Sequence, residues 1–320
     1  MNPGIYNISF DQYQAIDAVS KSGLDALAIS PLHYWTFNLN PERIKPKDTA
    51  AKVLGSAIHT SILEPERYEK EYVLDPQPED FPGSLVLAPD YKEECAKLGL
   101  PVSGTKPELM KRLIEAGVDK SRFWDEAYKE LTSGKISLSK SDWYTVKAIS
   151  YRVRKHPYAG QLLKHGVSEQ SIIWIDEETG VLCKGRLDWV VENQPIIVDL
   201  KSTTDASLEG FQRSISKYRY YVQAAMYLDG VKALGYGDYD FIFAAWEKKS
   251  PFASALYYPS KDMLEVGRIE YKKLLNLYKK CRTLDEWKGY NEDILEINLP
   301  ENFKSSSLSE QDSDWDWLGE

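Results

Sequence analysis

Cysteine is scarce: the 320-residue chain has three, Cys95, Cys183 and Cys281, far apart in sequence. They form no CxxC pair and no disulfide framework, which suits a reducing compartment. They also fall short of the four thiolates of an iron–sulfur cluster. No apolar run approaches the roughly 18 residues of a membrane span, so no membrane partner is expected. The opening "MNPGIYNISF" lacks a basic start followed by an apolar block, so no signal peptide and a cytoplasmic location are expected. Basic residues are outnumbered, 40 Lys and Arg against 49 Asp and Glu, for a net charge of −9. That weighs against coating nucleic acid through overall basicity. It leaves room for a basic groove on an acidic body, and carboxylates are what cation binding needs. Internal repeats are absent.

What is there begins with helices. "SGLDALAISPLHYW" predicts a helix capped by Ser22 and broken by Pro31, and "TAAKVLGSAIHTSIL" (49–63) a second at regular apolar spacing. "EPERYEKEYVLDPQPEDFPG" runs into a proline-rich loop. Residues 91–118 form a compact helical unit, followed by a charged helix at 121–132 and an amphipathic one at 141–157, stopped by Pro157. The period then changes from 3.6 to 2. "EQSIIWIDEETGVLCKGRLDWVVENQPIIVDLKST" reads as three successive strands turning at "EETG" and "ENQP". A long helix, "ISKYRYYVQAAMYLDGVKAL", two strands, "YDFIFAAWEK" and "FASALYYP", and a closing helix complete the core. With 42% hydrophobic residues, the chain suffices for one large domain with a small insert.

The chemistry concentrates in "IIVDLKST" (196–203), where Asp199 and Lys201 interrupt an otherwise apolar strand. Burying a charge is costly unless it is paired or holds a metal. Residues two apart on a strand share a face, and an adjacent antiparallel strand ending in "GRLDWV" brings Asp188 near Asp199. Hard oxygen donors suit Mg²⁺, and a metal activates water and stabilises charge on a phosphate. An edge-strand salt bridge accounts for the triplet equally well. Gln223 and Tyr227, four apart on the next long helix, share a face, and His59 lies in "GSAIH".

Taken in order, Gly55–His59, Asp188, Asp199-Leu200-Lys201, Gln223 and Tyr227 resemble the PD-(D/E)XK nuclease superfamily in its RecB-like branch. "SGLDAL", "SPLHYW" and "GSAIHTSILEPE" look like the phage and prophage exonuclease VIII (RecE) type. The likeness spans roughly residues 1–80 and 140–285; Asp199 stands where glutamate is commoner. It implies an α/β fold with a central mixed sheet flanked by helices and a small helical insert. By the same resemblance His59, Asp188 and Asp199 would be metal ligands, with the Leu200 carbonyl favoured over that of Val198, and Lys201 the catalytic lysine. Gln223 and Tyr227 would orient the site or touch DNA. Glu169, at the start of the first strand, reads as a solvated strand end, with an accessory carboxylate as the alternative.

Within the insert, "CAKLGLPVSGTKPELMKRLIEAG" (95–117) resembles a SAP motif, with Gly99 and Gly104 at its turns and Lys106, Lys111 and Arg112 set to meet phosphates. The alternative is a helical hairpin with a solvated basic face. The expected organisation is 1–90 (helical part of the core), 91–120 (insert), 121–300 (catalytic sheet) and 301–320 (a disordered acidic tail carrying Trp315 and Trp317). His33, His156 and the run Arg152, Arg154, Lys155 read as capping or solvated residues, though that run also suits a DNA path. The resemblance implies an Mg²⁺-dependent exonuclease, with Mn²⁺ as a substitute, that degrades linear duplex DNA 5′ to 3′ for recombination. It also implies assembly as a homo-oligomer and a single-strand annealing partner. An endonuclease and a non-catalytic DNA-binding protein are the alternatives.

Overall fold

The computed structural model describes residues 1–44, 49–291 and 293–299; the tail with Trp315 and Trp317 lies outside them. Among the described residues eight strands are formed: β1 (Gly4–Tyr6), β2 (Tyr72–Leu74), β3 (Ile136–Leu138), β4 (Gly166–Ile175), β5 (Leu182–Val191), β6 (Ile196–Thr203), β7 (Asp240–Glu247) and β8 (Ser254–Tyr257). Six make one mixed sheet in the order β1-β4-β5-β6-β7-β8, with β6 and β7 parallel and the other neighbours antiparallel. The parallel pair needs a crossover, which the helices between residues 208 and 233 supply. β2 and β3 pair parallel to each other.

Helices cover both faces, so the central strands are apolar on both sides. One layer, including Tyr220–Ala233 and Lys261–Leu284, packs on Ile172, Trp174, Ile197 and Phe243. The other, with Ala50–Leu63 and Lys140–Lys155, packs on Trp189, Val198, Leu200 and Trp246. The fold is thus the expected mixed α/β architecture, a central mixed sheet flanked by helices. Among the described residues, no helix is long and apolar enough to cross a membrane.

Several local expectations need correction. The first core helix spans Lys21–Ile29 and is capped by Ser20, whose hydroxyl accepts from the Gly23 N–H, rather than by Ser22. The helix does stop ahead of Pro31, with Ser30 extended, and Pro31 then opens the next helical turn, where its missing N–H costs no bond. The helix placed at 121–132 is a 3₁₀ turn over Lys120–Arg122 followed by a helix from Trp124 to Thr132. The predicted long helix at 215–234 is two, Leu208–Tyr218 and Tyr220–Ala233, broken at Arg219 with φ +53°. Arg219 is pinned there by Asp25 and Glu270, contacts that no local pattern reveals.

Between β2 and β3 the chain builds a separate small core from Leu85, Tyr91, Cys95, Leu109, Leu113 and Phe123. Its two main helices are Ala88–Lys97 and Lys106–Glu115. Gly99 (φ +68°) and Gly104 (φ +127°) occupy left-handed positions at the connecting turn, which glycine adopts without steric cost.

Candidate metal centre

The centre forms where the β5–β6 ladder opens. The ladder pairs Val190 with Ile197 and Trp189 with Val198; at the next step Asp188 stands opposite Asp199, and regular pairing stops. The Asp188 carboxylate takes over, with Oδ2 accepting from the Leu200 N–H at 2.8 Å. A side chain thus satisfies a backbone group that the ladder has abandoned.

Side-chain alternation also breaks here. Leu187 and Val190 both pack toward the Tyr220–Ala233 helix, whereas Trp189 and Val191 pack on the opposite face. On β4, the residue across from Asp188 in the 168↔189, 170↔187 register is Glu169, in the left-handed region at φ +54°. A non-glycine residue there is uncommon. The register is fixed by the turn at Asp176–Val181: Asp176 accepts from the Thr179 N–H and hydroxyl, and Gly180 takes φ +71°.

Asp199 is 1% exposed. Its Oδ1 accepts from Gln223 Nε2 at 2.7 Å, and its Oδ2 lies 2.5 Å from Lys201 Nζ. Oδ2 makes that ion pair without a well-directed hydrogen bond. Lys201 also lies over the Tyr220 ring, 4.6 Å from its centroid. Burial opposes its charge, but Asp199 and Asp188 outweigh burial and hold its ammonium above the ordinary lysine range. Asp188 is pushed the other way. Burial, then the neighbouring Asp199, raises its proton affinity well above that of a free carboxyl, with Lys201 partly compensating. Like charges crowded in low dielectric have this effect.

His59 reaches the cluster from the other helix layer. Its Nδ1 lies 3.7 Å from Asp188 Oδ2, and its ring sits beside the Leu200 backbone. Burial and then Lys201 lower its pKa, which favours the neutral, metal-ligating imidazole. Donor atoms of His59, Glu169 and Asp188 all lie within 4.8 Å of one another. One imidazole, clustered carboxylates and a buried carboxylate oxygen without a directed hydrogen bond fit a divalent cation.

The predicted residues are thus distributed unevenly. His59, Asp188, Asp199, Leu200, Lys201 and Gln223 converge. Tyr227 lies beside them under β5, its ring so close to Gly185 that a Cβ there would stand 2.8 Å from it. Burial raises its phenol pKa well above normal. This glycine is required by close approach rather than by a turn. Lys106, Lys111 and Arg112 lie in the separate unit. Lys106 pairs with Asp125 at 2.7 Å, Arg112 donates to the Pro101 and Ser103 carbonyls, and Lys111 is exposed beside Glu115.

Glu169 is not a solvated strand end. It sits inside β4, 22% exposed, and its Oε2 accepts from Arg186 Nε at 2.6 Å. Arg186 also holds the Ile8 carbonyl and the Ser171 hydroxyl. Sequence reasoning passed over Arg186. Counting outward from the "EETG" turn would have set Glu169 against Asp188. Two clefts of about 330 and 350 Å³ lie elsewhere, one lined by Asp17, Thr179 and Arg282, the other by Ile196, Tyr239 and Leu256. Neither contains the clustered carboxylates.

Residues 20–298 match the family described as "PDDEXK-like domain of unknown function (DUF3799)". The chain belongs to this family. The crystal structure of a protein described as "Putative exonuclease" from Eubacterium rectale superposes on it with a TM-score of 0.53 at 15% identity, covering 94% of this chain and 99% of the other. At that identity the likeness speaks for the fold. A second structure, SSO0001, is 12% identical and covers 75% of this chain and 88% of its own, but its TM-score of 0.25 carries no argument. No curated protein matches the sequence. The DUF3799 chain therefore has a nuclease-like fold with a candidate acidic metal site at its ladder opening.

Proposed function

We propose that the protein is a magnesium-dependent exodeoxyribonuclease that degrades linear double-stranded DNA from 5′ ends, exposing 3′ single strands for recombination. One observation carries the phosphodiesterase part. A strand otherwise given to the core buries Asp199, keeps Lys201 charged beside it, and faces Asp188, Glu169 and His59 across an opened ladder. A structural salt bridge alone needs neither the raised Asp188 nor the histidine. The requirement for ends and the polarity come from the resemblance of the N-terminal pieces to exonuclease VIII. So do the homo-oligomer and the annealing partner.

In this reading Asp188, Asp199, Glu169 and His59, with the Leu200 carbonyl, hold the cation; Mn²⁺ substitutes for Mg²⁺. The bound metal supplies a water of lowered pKa and stabilises charge on the phosphate. Gln223 fixes the Asp199 carboxylate. Lys201, kept protonated by its two aspartate neighbours, orients the attacking water or neutralises the phosphate. The insert adds duplex affinity through Lys111 and whatever of Lys106 and Arg112 is released from internal contacts.

The test is a pair of substrates. A linear end-labelled duplex is digested in Mg²⁺, while a covalently closed circle of the same sequence survives. In Ca²⁺ the linear duplex binds and stays intact, because longer, looser coordination supports binding better than water activation. Equal attack on the circle would mean an endonuclease. Survival of both substrates in Mg²⁺ and Mn²⁺ would mean a DNA-binding protein without catalysis.

A further inference from the structure

The Lys140–Lys155 helix buries Val146, Ile149, Ser150 and Val153. Its opposite side carries an ordered pattern that packing leaves unused. Lys140, Tyr144, Lys147, Tyr151 and Lys155 follow one another at spacings of four, three, four and four, and so fall on one stripe of a 3.6-residue helix. All five are exposed. Tyr144 is 60% and Tyr151 63% exposed, and Tyr158, just beyond the helix-ending Pro157, is 73% exposed. Large rings this open to water gain nothing from the fold. Arg152 and Arg154 flank the C-terminal end, while the helix's own carboxylate, Asp142, falls on the far side. Lys155 Nζ lies 6.0 Å from the centre of the Tyr151 ring. Lys147 is shared with Glu69 at 2.8 Å and rests over Trp143.

Rings alternating with ammonium groups suit a strand of unpaired bases and phosphates. Successive bases stack on aromatic rings while cations follow the backbone. Tyr144 and Tyr151 are roughly 10 Å apart along the axis at 1.5 Å per residue, a span that a few nucleotides bridge. A protein partner fits less well, since lysine is depleted at protein interfaces. A duplex hides the base faces that the rings would contact.

The buried side of the same helix packs toward the metal centre, and the stripe faces outward from that layer. Its helix lies against the one bearing His59, with Ser150 Oγ 2.6 Å from Ser61 Oγ and Arg154 donating to the Ser61 carbonyl at 3.4 Å. We infer that this tyrosine–lysine face is a binding surface for single-stranded DNA, on the outer side of the helix layer that covers the nuclease centre; the inference rests on the nuclease reading for its purpose but not for its test.

The test is fluorescence anisotropy of a labelled oligo-dT and of a duplex of equal length, in EDTA so that nothing is cut. Y144A/Y151A should weaken oligo-dT binding by roughly ten- to a hundredfold, with duplex binding little changed. Y144F/Y151F, which keeps the rings, should restore it. K140Q/K147Q/K155Q should lower the slope of log affinity against log salt by about 2, at roughly 0.7 per phosphate contact on single strands. All these positions are exposed, so thermal melting should match the wild type. The inference is overturned if the wild type does not bind oligo-dT, if the tyrosine and lysine variants bind as the wild type does, or if the tyrosine loss is equal on duplex. Failure of the nuclease reading looks different: oligo-dT is bound through the stripe, yet no DNA is cut in Mg²⁺ or Mn²⁺.

Discussion

Around Asp188 the chain crowds carboxylates of one sign into the interior and leaves a buried oxygen of Asp199 without a directed hydrogen bond. In the helical unit between β2 and β3, Lys106 answers Asp125 and Arg122 answers Glu94. Arg112 closes on backbone carbonyls of its own loop, and the core beneath holds no charged side chain, its buried polar atom being the neutral Tyr91 hydroxyl. The second region resolves its charges locally, as a surface unit can at little cost. The first holds an arrangement that is unfavourable without a compensating cation. Stored electrostatic conflict therefore marks the site more clearly than the number of charged residues does.

The sharpest way to break this contrast is Asp199→Ala. The variant should fold with lowered stability, since Lys201 loses one buried partner but keeps Asp188, and should lose at least about 10³-fold in phosphodiester cleavage. Wild-type turnover by a well-folded Asp199→Ala protein would return the strand to a structural role.

On the insert's side, Leu113→Ala removes a fully buried side chain from the small core and should cost that unit about 2–5 kcal/mol. Hydrogen exchange should show the loss confined to the segment between β2 and β3, with Mn²⁺ affinity at the centre unchanged. Loss of metal binding in this variant would show that the two regions are coupled.

Glu169→Gln and His59→Ala should each weaken Mn²⁺ binding by about 10–100-fold in calorimetric titration, the range for partners that build or orient a metal site. Metal affinity should also rise with pH from the acid side. The raised Asp188 must give up its proton to the ion, while the lowered His59 is already neutral. Proton release on binding, read from buffers of different ionisation enthalpy, should therefore fade as pH climbs past the Asp188 value. A pH-independent isotherm would remove Asp188 from the ligand set.

The smallest effect belongs to Lys106→Gln. Its ion pair with Asp125 is partly exposed, so about 0–1 kcal/mol of stability is at stake. A larger loss in thermal melting would mean that the insert depends on its charges as the metal centre does.

Much of this was legible locally. The change of period near residue 169 announced the strands, because alternation is imposed by the pleat itself. The charged pair in "IIVDLKST" stood out because an apolar strand has no other reason to carry it. Gly99 and Gly104 marked their turns for the same kind of reason, a backbone conformation that a Cβ opposes. The sequence by itself thus determined the fold class, the strand pair that carries chemistry, and the residues Asp188, Asp199 and Lys201 that would meet on it, while Gln223 joined them through the family resemblance. Only the tertiary structure decided that Arg186 holds Glu169 while reaching the Ile8 carbonyl, that Arg219 splits a helix in two, and that Lys106 is drawn to Asp125. Each of these depends on partners far away in the chain, and a side chain's local sequence carries no record of which distant charge or carbonyl will satisfy it once the backbone has folded.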